Sequence, residues 1–478
     1  MIRSFFKDSI IYTIPALVSR GLALFLVPLY TRVLSPDDFG ALDLFMVFAG
    51  IVNLTIALEV SQAVARFYPE ESDTDKKIGY ASSAFWFTLG CYLSFSILAF
   101  FFAAPASRLV MGSSGLEDIF RIGLLHILFN GILYLMQNQL RWELRSKAFA
   151  LLSLVYTLVT TGLSVWLAYG LNMGLAGLMW GMAGGACAAV LLGSWQLQKT
   201  FRWQFSKQLL SSMLRFSAPL VPASIAVWVS SYVDRMMINH FLSLEEVGLY
   251  GIGFRLAGIV SLVMVGFQMA LTPLIYTHHE KPETPGELAR IFRLFLAFCL
   301  LFFAGMNLFA HDLLVLFTQP AYYDANKVIV FLVPSIMLSQ MYIFAPGINI
   351  AKKTNYVVWI NVAGASINAL LNWIFIPLMG YTGAALATML AQGMVFGTYM
   401  YFSQHFFPVP HHWVRIIVAS LWVVVLVLFS KYNAMEGYFH WLNGLAILVL
   451  SIIGFRLSGL IKPAEWQYLQ AKILNRFN

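Results

Sequence analysis

The chain has 478 residues, 60% of them hydrophobic and only 11% charged. That balance excludes an ordinary water-soluble domain, in which about 25% of residues are charged, and places the chain in a bilayer. A net charge of +8 would suggest nucleic acid for a soluble protein; in a membrane protein it reports which side the loops face, and no nucleic-acid partner is expected.

A helix needs about 20 apolar residues to cross a hydrocarbon core of about 30 Å. On that rule the sequence predicts fourteen spans, near 9–34, 41–65, 78–103, 117–140, 148–170, 174–196, 213–241, 247–277, 288–310, 325–350, 355–378, 381–405, 413–430 and 437–457. Arg3 and Lys7 precede the first run as in a signal peptide, but the run continues to about Leu34 without a small-residue cleavage site, so an uncleaved span is expected. Pro15 and Pro28 in span 1 and Pro219 and Pro222 in span 7 interrupt the backbone ladder and are hinge candidates, although such prolines are also ordinary in membrane helices. No loop exceeds about 17 residues, which leaves no room for a soluble catalytic domain, and no enzyme activity is expected. Cys91, Cys187 and Cys299 lie far apart in apolar runs, with no metal-binding spacing.

The segment LSPDDFGAL, Leu34 to Leu42, returns 208 positions later as LSLEEVGLY, Leu242 to Tyr250, and GLAG at Gly174 returns 206 positions later as GYTG at Gly380. Half of the chain is thus a copy of the other half. The expected fold is all-α and polytopic, with two parallel-repeat six-helix lobes plus two C-terminal helices: residues 1–198, a linker at 199–212, residues 213–407, and an extra helix pair and tail at 408–478. An even number of spans per half makes the repeats parallel, and the basic stretch Lys199 to Arg215 becomes the hinge between lobes. Placing both termini in the cytoplasm puts 22 of the 30 Lys and Arg on that side, in keeping with cytoplasmic retention of basic residues. The acidic turns Asp37–Asp38 and Glu245–Glu246 read as helix N-terminal capping.

Ionisable side chains at membrane depth cost about 2.5–3.5 kcal/mol or more, so each is a candidate for function. Arg20 lies near the midplane of span 1, where Glu59 of span 2 is a possible ion-pair partner. Asp234 and Arg235 near the end of span 7 and Arg255 early in span 8 share a depth. Because successive helical residues point about 100° apart, Asp234 and Arg235 are expected to face different surfaces. Asp234 with Arg255 is the pair considered, leaving Arg235 to an interface or a headgroup. His126 and His240 titrate near neutrality and are coupling candidates, with packed, hydrogen-bonded histidines as the plainer reading. Cationic side chains from both halves suit an anionic, phosphorylated cargo.

The segments PLYTRVLSPDDFGALDLF, Pro28 to Phe45, and DRMMINHFLSLEEVGLYGIGFRL, Asp234 to Leu256, resemble the paired signature of bacterial polysaccharide flippases of the Wzx type, in the multidrug/oligosaccharidyl-lipid/polysaccharide exporter superfamily. The resemblance implies two lobes around a central cavity in the bacterial inner membrane, moving polyprenyl-pyrophosphate-linked oligosaccharide to the outer leaflet. It implies coupling to a proton or sodium gradient without a cofactor, and partnership with membrane lipid, a polysaccharide polymerase and other assembly proteins. In the related lipid II flippases, arginines on the first, second and eighth helices are implicated in binding pyrophosphate. Arg20 and Arg255 occupy the first and eighth here, with Arg235 as a third candidate. Span 2 carries Glu59 in place of an arginine, a departure that favours a glycan other than lipid II. The alternatives are a cation-coupled multidrug exporter, against which the arginines argue, and a glycan polymerase or ligase, against which the short loops argue.

Overall fold

The computed structural model describes residues 26–432 and 438–463, together with Pro15, Val18, Ser19, Gly21, Leu22 and Glu465. Among them every regular element is helical. Eleven helices among the described residues are long and apolar enough to cross a membrane. Three of the predicted spans are not among these eleven. Span 1 falls mostly outside the described residues, span 8 is two helices, Leu244–Ala257 and Ile259–His278, and span 12 is one helix, Tyr381–Phe406, made less apolar by residues such as Thr388, Gln392 and Gln404.

The backbone repeats along with the sequence. Non-glycine residues in the left-handed region are uncommon, yet Leu144 and Lys352 both have φ of 57°. The two are 208 apart (352 − 144). The turn after span 4 is therefore built like that after span 10. By contact density the chain forms two compact units, Met1–Gly251 with Phe317–Tyr322, and Ile252–Leu316 with Tyr323–Asn478. Packing units and sequence repeats are different divisions of the chain.

The first unit contains α1 (Val27–Val33), α2 (Pro36–Thr55), α3 (Val60–Glu70), α4 (Thr74–Phe101), α5 (Ala103–Met111), α6 (Glu117–Trp142), α7 (Ser146–Val165), α8 (Gly174–Gln196), α9 (Lys207–Ser217), α10 (Val221–Phe241) and the first turns of α11 (Leu244–Ala257). Lipid removes the hydrophobic drive between helices, so close packing must supply it. Gly181 and Gly185 of α8 lie so near Ser164 and Thr160 of α7 that an added Cβ would meet their backbone nitrogens at 2.4 and 2.6 Å. Ile132, Met136 and Leu140 of α6 fill the remaining space with Leu152 and Leu197.

The linker expected to act as a hinge is fastened along its length. Ser82 Oγ of α4 donates to Thr200 O at 3.0 Å and accepts from Arg202 N at 2.9 Å, Trp86 stacks on Trp203 at 4.4 Å, and Ser83 Oγ accepts from Ser206 N at 2.9 Å. Its far end is helix α9, where Phe216 receives the Arg66 guanidinium 4.8 Å from its ring. Beside it, Glu143 at the α6–α7 turn accepts from Gln139 at 3.0 Å, Thr200 at 2.6 Å, Arg145 at 3.0 Å and Tyr68 at 3.4 Å. Burial, followed by the Glu143 charge, pushes the Tyr68 hydroxyl up to about 12. Glu143→Ala strips four donors of their acceptor and is expected to cost about 1–3 kcal/mol, read as a lower melting temperature in detergent. An unchanged melting temperature would show that water replaces the carboxylate.

The second unit holds the rest of α11, then α12 (Ile259–His278), α13 (Thr284–Leu308), α14 (Ala310–Phe317, up to Leu316), α15 (Asn326–Gln340), α16 (Gly347–Ile350), α17 (Thr354–Met379), α18 (Tyr381–Phe406), α19 (Trp413–Tyr432) and α20 (Tyr438–Leu457). Asn372 donates to Asn368 Oδ1 at 3.0 Å and Asn368 to Thr388 at 3.3 Å, a polar seam between α17 and α18. In the loop before α19, His411 is buried against Phe292 and Trp413, and neither ring nitrogen has a partner. Burial lowers its pKa from 6.5 to about 4. The unfolded chain therefore takes a proton near pH 6.5 and the folded chain only near 4. Stability is full above the first value and falls as pH drops towards the second. His411→Phe is expected to flatten that acid branch in melting curves taken between pH 7.5 and about pH 5; parallel curves for both proteins would count against it.

Candidate functional site

The two copies of the repeated segment pack against one another. Each opens a helix with a serine hydroxyl bonded to the carboxylate three residues on. Ser35 caps α2, its Oγ accepting from Asp38 N at 3.2 Å while Asp38 accepts from Ser35 N at 3.1 Å, and Ser243 bonds Glu246 at the start of α11. The capped ends then cross at glycines. A Cβ on Gly40 would meet Leu244 O at 2.0 Å, and one on Gly248 would meet Pro36 O at 2.0 Å. Both the glycines and the carbonyl residues are 208 apart, so the contact is a local two-fold made by the two copies. One turn deeper, Asp43 lies against its own repeat mate, Gly251, whose added Cβ would come 2.9 Å from Oδ2.

At that depth the symmetry is broken by charge. Arg235 of α10 is only 5% exposed, with Nε 2.9 Å from Asp43 Oδ2 and Nη1 3.3 Å from Asp234 Oδ1. Asp234 Oδ1 also accepts from Arg235 N at 2.8 Å, and its other oxygen accepts from Tyr250 OH. The guanidinium lies 5.5 and 5.6 Å from the Tyr232 and Tyr250 rings. Asp43 is seven residues from Pro36 and Arg235 six from Phe241, so the network sits about 10 Å inside the helix ends at 1.5 Å per residue. A buried charge is tolerated when paired, and here one cation meets two carboxylates.

The expectation that Asp234 and Arg235 face different surfaces is corrected. Their Cα–Cβ directions do differ, but the long arginine stem swings its planar head back to the neighbouring carboxylate. Asp234 is thus engaged by Arg235 and Tyr250 within the first unit. Asp43 was not among the sequence candidates, although an acid one turn inside span 2 carries the same signal as the residues singled out there.

Span 2 holds a second feature. α2 stops at Thr55 and α3 begins at Val60, and between them Leu58 and Glu59 adopt φ of 49° and 52°. Two successive left-handed non-glycine residues cost about 1–3 kcal/mol each and persist only where the surroundings hold them. Glu59 is 8% exposed and accepts from Ser224 Oγ of α10 at 3.0 Å. A discontinuous helix presenting a carboxylate at membrane depth is how transporters build ion and substrate sites. Nearby, Asn53 Oδ1 accepts from Tyr92 OH at 2.5 Å, which ties α2 to α4.

The other candidates are dispersed. Arg20, the expected partner of Glu59, lies outside the described residues. Arg255 is half-buried on α11, in the second unit. His126 is buried among the helices of the first unit, bonded to the Met182 backbone, and its Nδ1 has no partner. His240 is exposed beside Phe241. Pro28 and Pro222 occupy the first turns of α1 and α10, and Pro219 the short 3-10 turn that joins α9 to α10. Pro15 is helical and buried, with neighbours outside the described residues.

The polysaccharide biosynthesis protein family matches residues 29–274, which is 246 of 478 residues and includes both repeat copies and the ion network. The chain belongs to that family. This family member also matches the MatE family over residues 219–374. It is 24% identical over 282 residues to Lsg locus putative protein 1 of Haemophilus influenzae, covering 57% of this chain and 66% of that one. It is 26% identical over 263 residues to succinoglycan biosynthesis transport protein ExoT of Rhizobium meliloti, covering 52% and 49%. The matched stretches thus span about half to two thirds of these curated relatives. In fold it is similar to the lipid II flippase MurJ in an inward closed conformation, with a TM-score of 0.70, 17% identity, and coverage of 94% of this chain and 98% of that one. The polysaccharide biosynthesis family member therefore shares its helical fold with the solved structures of the lipid II flippase and of a multidrug resistance MATE family transporter.

Proposed function

We propose that this membrane protein translocates lipid-linked oligosaccharide units from the inner to the outer leaflet of a bacterial cytoplasmic membrane by alternating access. The observation that carries the reading is the two-fold contact of the repeats. A seam made of Gly40 against Leu244 and Gly248 against Pro36, backed by Asp43, Arg235 and Asp234, closes one end of the pathway and has matched surfaces along which to part. With both termini cytoplasmic, that end is the outer one. Opening it exchanges the side of access.

The cargo's pyrophosphate is assigned to Arg20 and Arg255, as the resemblance implies, because Arg235 already serves two carboxylates. The polyprenyl tail stays in lipid while the sugars cross the hydrated path. Glu59, held in a strained break, is the coupling group for a proton or sodium ion. The MatE match supports a second reading, a cation-coupled multidrug exporter of the same fold.

Cells lacking the gene test both. A complete lipid-linked unit accumulating in the inner leaflet, with surface polymer lost, supports translocation; unchanged intermediates with raised drug sensitivity support efflux. Arg20→Ala and Arg255→Ala are each expected to abolish glycan export at normal expression. Full export by both variants would remove the arginine clamp.

A further inference from the structure

A second polar site lies wholly within the second unit, remote in sequence from the repeat seam. A cavity of about 570 Å³ is lined by Arg290 and Arg293 of α13, His412 of the loop before α19, and Lys462 and Glu465 beyond α20. Glu465 organises it. Its Oε1 lies 3.0 Å from Arg290 Nε and 3.2 Å from Arg293 Nη2, and its Oε2 accepts from Lys462 N at 2.9 Å. Arg293 is 3% exposed and also donates to Leu460 O at 2.7 Å. One carboxylate is thus saturated by two guanidinium groups and a backbone N–H. What it leaves over is charge: three cations (Arg290, Arg293, Lys462) against one anion (Glu465) give the lining +2. The Arg290 side chain is 56% exposed, with its terminal nitrogens not engaged by Glu465, and Lys462 is exposed.

The surface next to the cavity is apolar. Trp413 opens α19, and Val414 (75% exposed), Ile417, Val418 and Leu421 continue down its uncovered side. Exposed aliphatic side chains along a membrane helix meet acyl chains, and a tryptophan at the helix start marks the polar boundary. A cationic hollow directly at the head of such a surface matches a molecule with an anionic head and an apolar tail. Guanidinium and ammonium donors at a preset spacing suit phosphate oxygens. We propose that this cavity binds the phosphodiester headgroup of an anionic phospholipid, with its acyl chains along α19.

The test uses the full chain purified in a neutral-headgroup detergent, with phosphatidylglycerol, phosphatidylcholine or inorganic phosphate added, and reads bound lipid by native mass spectrometry alongside the melting temperature. Each basic residue near an anionic surface contributes about 1 kcal/mol, so two available cations predict retention of phosphatidylglycerol at least about tenfold above phosphatidylcholine. Arg290→Gln with Lys462→Gln should remove that preference. Lys462→Gln alone, which leaves both Glu465 ion pairs in place, should reduce it several-fold if the double variant does not fold. Equal retention of the two lipids, or a preference unchanged in the variants, overturns the site. Displacement of phosphatidylglycerol by millimolar inorganic phosphate, with the same rise in melting temperature, would assign the cavity to a soluble anion and overturn the lipid.

Discussion

Arg235→Ala is expected to lower the melting temperature of the solubilised protein steeply and to abolish export. The substitution takes from Asp43 and Asp234, buried about 10 Å inside the helix ends, the guanidinium that both engage. Breaking a buried pair from one side costs about 3–5 kcal/mol, because the orphaned charge stays desolvated or takes up a proton. Removing the whole network is a milder change, since well-packed neutral residues of similar size replace a buried ion group at little net cost. Arg235→Met combined with Asp43→Asn and Asp234→Asn should therefore recover much of the stability while export stays impaired if parting of the seam depends on these charges. Wild-type stability and export in Arg235→Ala would mean that water reaches both carboxylates and that the network is not a closure.

The second large effect is steric. Gly248→Ala puts a methyl group 2.0 Å from the Pro36 carbonyl, and Gly40→Ala does the same at Leu244. Backbone atoms cannot yield as a flexible side-chain end can, so α2 and α11 must separate and the seam cannot close. Either variant is expected to insert normally and to lose export. In a background without Cys91, Cys187 and Cys299, a cysteine at Val47, buried in the native protein, should become reactive to an impermeant thiol reagent added from outside. Rapid export by Gly248→Ala, or a Val47→Cys site no more reactive than in the parent, would show that closure of this crossing is not part of the cycle.

Lipid rewards long apolar runs and intact helices, so most of the architecture was legible in residue types alone. The spans, the 208-residue repeat and the capping turns at Ser35 and Ser243 follow from local composition and spacing. The helix break at Leu58–Glu59 does not, because neither glycine nor proline marks it; the left-handed residues there are held by surroundings that include Ser224, 165 positions away. Polar residues were legible as anomalies but not as partners. Asp234 and Arg235 stand out in the sequence, yet their joining to Asp43 depends on how α2 and α10 come together and on the reach of a flexible side chain. Arg293 and Glu465 form an ion pair across 172 positions by the same kind of convergence.

Residue sequence by itself therefore determined the membrane class, the duplication and the positions of helix starts, since these depend on neighbours along the chain and on the solvent. Tertiary structure alone decided that the duplicated segment is its own packing partner, that Arg235 is tied to Asp43 and Asp234, and that Glu59 sits in a strained break. Those outcomes depend on which backbones approach within contact distance, and periodicity along one chain carries no information about the distance between two helices.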